Sequence, residues 1–281
     1  MYSKGMKRFS SILTVLVMAM FVQGSLYAKG KQDTSPGTPA STQSAAPQKA
    51  PVTILVVAAA SLRLTYEQEL IPLFKAKYPY ITVDGTYDSS GKLQTQIEQG
   101  LAADVFMSAA TTQMNNLVKG GFVAEASVKP LLENKIVLIK TAGTSTPVTG
   151  FQNITAAKVI ALGDPASVPA GQYAQEVFTS LKTWDAVKAK SSLGTNVTEV
   201  LNWVEAGSAE VGVVYATDAA SSKNVEIIAE APAGSLARPV IYPVGIVTAS
   251  AHGEEAKLFV DFLASPEAQA VFKAYGFSAA N

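Results

Sequence analysis

The sequence predicts an α/β fold with mostly parallel sheets flanked by helices. Two observations carry this expectation. After residue 50, apolar β-rich runs at 52–58, 81–83, 104–107, 135–139, 159–162, 211–215, 225–228 and 240–247 alternate with stretches of helical periodicity. Strands that alternate with helices are joined by crossovers, which lay helices over both faces of a parallel sheet. The 281-residue chain is also 48% hydrophobic and only 16% charged, enough to bury a real core in one large or two modest domains.

The first element reads as an export signal. Lys4, Lys7 and Arg8 precede an apolar run at 12–22 interrupted only by Thr14, and Ala28 is a suitable cleavage point. The run is short for a membrane-spanning helix, which needs about 20 residues; the alternative is an uncleaved N-terminal anchor. Removing residues 1–28 takes three of the 22 basic residues and none of the 22 acidic ones, leaving a formal net charge of −3. Residues 29–50 follow as a Ser/Thr/Pro/Ala/Gln-rich linker without a large apolar residue, unable to bury enough surface to offset its ordering entropy.

Beyond the linker, Leu62, Tyr66, Leu70 and Phe74 recur every four residues, and Leu93 with Ile97 does the same. Tyr173, Val177 and Leu181 form a third helical stripe, and Val197, Val200, Leu201 and Val204 a fourth at i, i+3, i+4, i+7 spacing. Near the end, Ser265-Pro266-Glu267 reads as an N-cap followed by a first-turn proline. Val271, Phe272 and Tyr275 supply the apolar stripe of that helix, and Gly276 is its stop.

Composition excludes several kinds of chemistry. Lys+Arg and Asp+Glu are balanced at 22 each, which argues against a binder that neutralises nucleic-acid phosphates. With no cysteine there is no thiolate nucleophile, disulfide, cysteine zinc site or lipid-bearing cysteine. His252 is the single histidine, so a multi-histidine metal site is impossible. No Gly-x-Ser-x-Gly nucleophile elbow occurs, and an enzyme is not expected.

Four loop-to-helix junctions stand out: Ala59-Ala60-Ser61-Leu62, Asp88-Ser89-Ser90-Gly91-Lys92, Val168-Pro169-Ala170-Gly171 and Thr195-Asn196-Val197-Thr198. Each adjoins a strand-like run and opens a helix with small or polar residues. A helix N-terminus has unpaired N–H groups and a positive dipole end, which suits an anion. Singly, each junction is ordinary N-capping; finding all four in one α/β chain is what points to an anion.

The chain resembles the periplasmic molybdate-binding proteins of ABC importers over residues 52–278. The resemblance rests on Ala58-Ala59-Ala60-Ser61-Leu62, Ser89-Ser90-Gly91-Lys92-Leu93, Ala103-Asp104-Val105-Phe106-Met107-Ser108-Ala109, Gly163-Asp164-Pro165 and Val168-Pro169-Ala170-Gly171. Gly212-Val213-Val214-Tyr215 with Thr217-Asp218-Ala219, Tyr242-Pro243 and Tyr275-Gly276-Phe277 complete it. It implies the two-lobed periplasmic-binding-protein fold of type II, with a ligand cleft between lobe 1 (residues 51–133 and 240–281) and lobe 2 (134–239). It also implies oxyanion contacts at Ser61 and Ser90 from one lobe and at Ala170, Val197 and Tyr215 from the other. Backbone N–H groups would donate at Ser61, Ser90, Ala170 and Val197, and hydroxyls at Ser61, Ser90 and Tyr215. The expected ligand is molybdate or tungstate, with no cofactor, and the expected partner is an ABC importer permease. The protein would be an extracytoplasmic or periplasmic monomer that delivers the anion and binds no nucleic acid. Arg63 and Ala110 stand where many relatives have a small polar residue and an aspartate, outside the expected ligand set. A receptor for another anion on the same fold, such as sulfate or phosphate, is the alternative, and a ligand-sensing regulator domain is a third.

Overall fold

The structure is a computed structural model that describes residues 49–280. The expected export segment, 1–28, and nearly all of the expected linker lie outside the described residues. Among the described residues eleven strands are present: β1 Val52–Ala59, β2 Ile81–Asp88, β3 Val105–Met107, β4 Lys129–Asn134, β5 Ile136–Thr141, β6 Ile160–Gly163, β7 Ser191–Gly194, β8 Val211–Tyr215, β9 Val225–Glu230, β10 Val240–Ile246 and β11 Ser278–Ala279. They form two sheets, a six-stranded one in the order β11-β4-β10-β3-β1-β2 and a five-stranded one in the order β7-β6-β8-β5-β9. The chain passes from the first sheet to the second at Lys135, between β4 and β5, and returns between β9 and β10.

The sheets are mixed rather than mostly parallel. β2-β1-β3 and β7-β6-β8 run parallel, whereas β10 is antiparallel to β3 and β4, β11 to β4, and β5 to β8 and β9. The antiparallel members are the strands that enter or leave a sheet at the two crossings, together with the C-terminal strand. Only the helix-connected strands keep the parallel direction that a crossover imposes.

The first sheet is covered on both faces. Along β1, Ile54, Val56 and Ala58 belong to one buried cluster, while Val57 joins Leu93, Ile97, Phe106, Met114 and Leu117 in another, as the two-residue strand period requires. The four-residue stripe Leu62, Tyr66, Leu70 and Phe74 is fully buried on a helical stretch that runs from Ala60 to Lys77. Its middle, Tyr66–Leu70, is wound as a π-helix. Pro72, which follows directly, lacks the N–H that would bond to the Gln68 carbonyl, and looser winding absorbs the gap. The C-terminal helices Gly253–Leu263 and Pro266–Ala274 close over this stripe: the Phe74 ring meets Phe259 edge-on with centroids 4.9 Å apart and Phe262 at 5.4 Å. Ser265 caps the last helix through the Ala268 N–H, and Gly276 ends it at φ 90°.

In the second sheet every residue of β8 is buried. Ala174, Val177 and Phe178 come from helix Pro169–Ser180, and Val200, Leu201 and Val204 from helix Val197–Glu205; all belong to the same core cluster as β8.

Candidate functional site

Strand register brings the four junctions together. β1 and β2 are parallel neighbours with Ala59 opposite Asp88, so the chain leaves the first sheet side by side into the turns at 60–62 and 89–91. In the second sheet β6 and β7 pair Gly163 with Gly194, which sets the Pro169 and Val197 helix starts beside each other. These are carboxyl ends of strands, where open α/β sheets present their ligand contacts. All four junctions line one small cavity, with Tyr215 and Ala109 completing its wall. Ser61, Ser90, Ala170, Val197 and Tyr215 are thus gathered at one place.

Each turn has a packing reason for its small residues. A Cβ on Gly171 would collide with the Gly163 carbonyl oxygen, and one on Gly163 would lie 2.5 Å from Val168 Cγ1. The Gly163-Asp164-Pro165 turn and the Pro169 helix therefore need glycine on both sides to approach. Asp164 ties the turn by accepting from Ala166 N at 3.0 Å. Asn196 caps the Val197 helix by accepting from Glu199 N at 3.0 Å. Ser90 and Val197 are the first residues of their helices and Ala170 the second, positions whose N–H groups have no acceptor within the helix.

Lys135 N–H donates to Asn134 Oδ1 at 2.8 Å, which turns the amide nitrogen of Asn134 toward Thr217 Oγ1 (2.9 Å) and Tyr242 Oη (3.3 Å). The Tyr242 hydroxyl shares a 3.0 Å hydrogen bond with Ser61 Oγ in which either group can donate; with Tyr242 donating, the Ser61 proton is available to an anion. Ser90 Oγ accepts from Ala109 N at 3.0 Å, which leaves its own proton free to donate. Tyr215 Oη donates to the Ala109 carbonyl over 3.4 Å, a long bond that a charged acceptor would readily replace. Burial holds the Tyr215 and Tyr242 phenols well above their ordinary pKa, so both remain donors.

Acceptors on the wall are scarce. Asp88 is the one charged side chain among the lining residues, and its carboxylate is engaged. Oδ1 accepts from Ser89 N (2.7 Å) and Asn196 Nδ2 (3.2 Å), and Lys92 Nζ pairs with Oδ2 at 3.3 Å. The site offers protons to an occupant and no cationic side chain, so helix N-termini must carry the favourable field. It is also small. Its free volume is about 10 Å³, roughly what one water needs, so the walls already stand close together and leave no room for an organic solute of several carbons. A far larger cleft of about 850 Å³ opens on the other side of Ser61, past Arg63, Glu67 and Asp218; the donors do not converge there.

Ala109 lines the cavity but was not among the site residues expected from the sequence. It bonds Ser90 through its N–H and Tyr215 through its carbonyl. Ser108-Ala109-Ala110 sits between β3 and helix Thr111–Lys119, the same strand, small residues and helix pattern as the four junctions, and that signal could have found it.

Besides the Tyr215–Ala109 and Asn134–Thr217 bonds, other contacts cross between the segments that build the two sheets. Gly91 N donates to Ser167 O at 2.9 Å, Asn196 Nδ2 to Asp88 Oδ1, and Gln113 Nε2 to Gln172 Oε1 at 3.1 Å.

Two helix-flanked sheets linked by two crossings, with strand ends from both facing one cavity, define a two-lobed binding protein. The chain belongs to the bacterial extracellular solute-binding protein family, which it matches over residues 54–278. It is 44% identical over 239 residues to a Bacillus subtilis lipoprotein assigned as an ABC transporter substrate-binding protein, covering 85% of this chain and 91% of that one. The molybdate-binding protein of Haemophilus influenzae is 37% identical over 231 residues, or 80% of this chain and 90% of that one. Among solved structures, the substrate-binding domain assigned to a molybdenum ABC transporter from Clostridium difficile matches with a TM-score of 0.63 and 34% identity, covering 82% of this chain and all of that one.

Proposed function

We propose that this protein captures molybdate, and tungstate with it, outside the cytoplasm and hands it to an ABC importer permease, without performing chemistry on it. One observation carries the reading: Ser61, Ser90, Ala170, Val197 and Tyr215 line a single small cavity, where their N–H and hydroxyl groups can donate to an occupant. A tetrahedral dianion has four acceptor oxygens and no proton near neutral pH, so a cage of donors fits it. Seven donors, four N–H groups and three hydroxyls, at about 1.5–3 kcal/mol each offset desolvation and leave roughly 8–11 kcal/mol, a micromolar to tens-of-nanomolar dissociation constant.

The lobes in this reading are 51–133 with 240–281, and 134–239, hinged at Lys135 and at 231–239. Donors divided between them make closure depend on the anion. Residues 1–28 would direct export. The relatives' names support the choice of ligand and importer, and the donor geometry supports an oxyanion independently. Asp88 already accepts from Ser89, Asn196 and Lys92, which gives it a role in tying the turns together rather than in receiving a ligand proton, and so favours a fully deprotonated ion over hydrogen phosphate. The lone imidazole, His252, lies against Asp104 at 3.2 Å on a different cavity, which leaves the donor cage without a general base.

A thermal melt of the mature chain with and without sodium molybdate tests the proposal. A ligand at a thousand times its dissociation constant stabilises by about 4 kcal/mol, so the melting temperature rises by several degrees. A midpoint unmoved by millimolar molybdate contradicts the reading.

A further inference from the structure

Ser89 holds a hydroxyl that nothing among the described residues satisfies. The residue is 3% exposed, and its Oγ is sealed from solvent with no hydrogen-bond partner among the described residues. It lines the cavity that gathers Ser61, Ser90 and Tyr215. The other two buried side-chain atoms in this condition, Tyr87 Oη and Gln113 Oε1, belong to residues outside that wall.

The position makes the orphan informative. Ser89 is the N-cap of helix Ser90–Glu98, and a serine there ordinarily turns its hydroxyl back onto the N–H of the second or third helical residue. Ser89 makes no such bond. The Gly91 N–H that it would cap is given to Ser167 O instead. Its neighbour Ser90 is held by Ala109 N, so the two serines are not interchangeable: one hydroxyl is oriented by the protein, the other is left free. A buried hydroxyl without a partner costs stability, and an apolar residue would remove that cost. Its natural partner is an acceptor that arrives with the ligand.

We infer that the Ser89 hydroxyl donates directly to the bound oxyanion, so that the 88–91 turn supplies two adjacent hydroxyls and the Ser90 N–H. The inference rests on the oxyanion reading above and adds a residue to the expected ligand set. A deprotonated oxyanion offers only acceptors, so the Ser89 hydroxyl must act as donor, and the proton direction needs no help from a neighbouring side chain.

Ser89→Ala separates this role from a structural one. Because the hydroxyl has no partner among the described residues, the ligand-free variant should melt at the parent's temperature or higher. Titration calorimetry with sodium molybdate should show about ten-fold or greater loss of affinity. Ser89→Gly, which keeps N-cap competence, should show the same loss and covers the case in which alanine disturbs the turn. Affinity within two-fold of the parent in both variants overturns the inference and assigns the hydroxyl to a buried water. A lowered melting temperature in the ligand-free variants, with affinity lost only in proportion, overturns it in favour of capping. If the parent itself binds no molybdate, this inference and the oxyanion reading fall together. A parent that binds with variants that match it removes Ser89 alone.

Discussion

Gly91 is the position where closure can be perturbed without touching a donor to the anion. A Cβ there would lie 2.5 Å from Ser167 O and 2.7 Å from Ser167 Cα, backbone atoms that cannot rotate away. In Gly91→Ala the 88–91 turn and the 164–168 loop must therefore separate, and the 2.9 Å bond from Gly91 N to Ser167 O is stretched or lost. That bond is worth about 0.5–1.5 kcal/mol, and relieving the overlap costs about 1–3 kcal/mol more. If the anion is held only by the closed lobes, the combined cost of roughly 2–4 kcal/mol enters the affinity directly, a weakening of about thirty-fold to several hundred-fold. The open chain feels none of this, and alanine inside the helix should stabilise it by about 0.5–1 kcal/mol. Calorimetry with molybdate, paired with melts of the ligand-free variant, reads both signs: weaker binding with an equal or higher melting temperature. Small-angle scattering should show less compaction at saturation than in the parent. Parent-like affinity in Gly91→Ala would refute the claim that contact between these two backbones belongs to the ligand-holding state.

Further expectations follow from the same geometry. Tyr215→Phe keeps the ring against Tyr242, with centroids 5.5 Å apart, and deletes one donor, so calorimetry should read a loss of about 1.5–3 kcal/mol, roughly ten- to a hundred-fold. Ser61→Ala should cost less because its backbone N–H survives; the reverse ranking would misplace Tyr215. Tyr242→Phe touches no anion but removes the hydroxyl paired with Ser61 Oγ, so Ser61 is held less firmly and molybdate binding should weaken by a few-fold, with no further effect in a Ser61→Ala background. Additive losses in that double-mutant cycle would contradict this coupling. Burial raises the Asp218 carboxyl to about 7, partly offset by its bond from Tyr215 N. The native chain then binds more protons than the unfolded one between about pH 4 and 7, so this group's contribution is full at low pH and is lost as pH rises through about 7. Asp218→Asn should remove that slope, worth at most about 4 kcal/mol, and equal pH profiles of melting for parent and variant would count against it.

Much of this arrangement was legible in the sequence, for identifiable reasons. The stripe Leu62, Tyr66, Leu70 and Phe74 marked a buried face because helical periodicity survives the π-wound middle. The continuous apolar run of β8 marked a central strand because both of its faces are covered. Less visible were β4, β7 and β11. β4 begins with Lys129-Pro130 and ends with Glu133-Asn134, and β7 reads Ser-Ser-Leu-Gly at the edge of its sheet; their place is fixed by pairing with distant strands rather than by local pattern. β2 looked three residues long because Asp84-Gly85-Thr86 breaks its apolar run, yet all eight residues pair with β1. The antiparallel members were hidden because strand direction depends on where the chain crosses between sheets. At the site, the four junctions could be seen singly, but their convergence follows from Ala59 facing Asp88 and Gly163 facing Gly194, which no local window contains. The state of a hydroxyl is still less local: Ser89 and Ser90 are identical letters, and only their partners distinguish them.

The closed cage of neutral donors should select a large tetrahedral dianion over a smaller one. Competition calorimetry tests it most directly: the mature chain is saturated with sulfate or phosphate at graded excess and then titrated with molybdate. The account predicts micromolar or tighter binding of molybdate and tungstate, nearly equal for the two, with sulfate competing only at large excess because it cannot reach both walls at once. Displacement of molybdate by equimolar sulfate would contradict it.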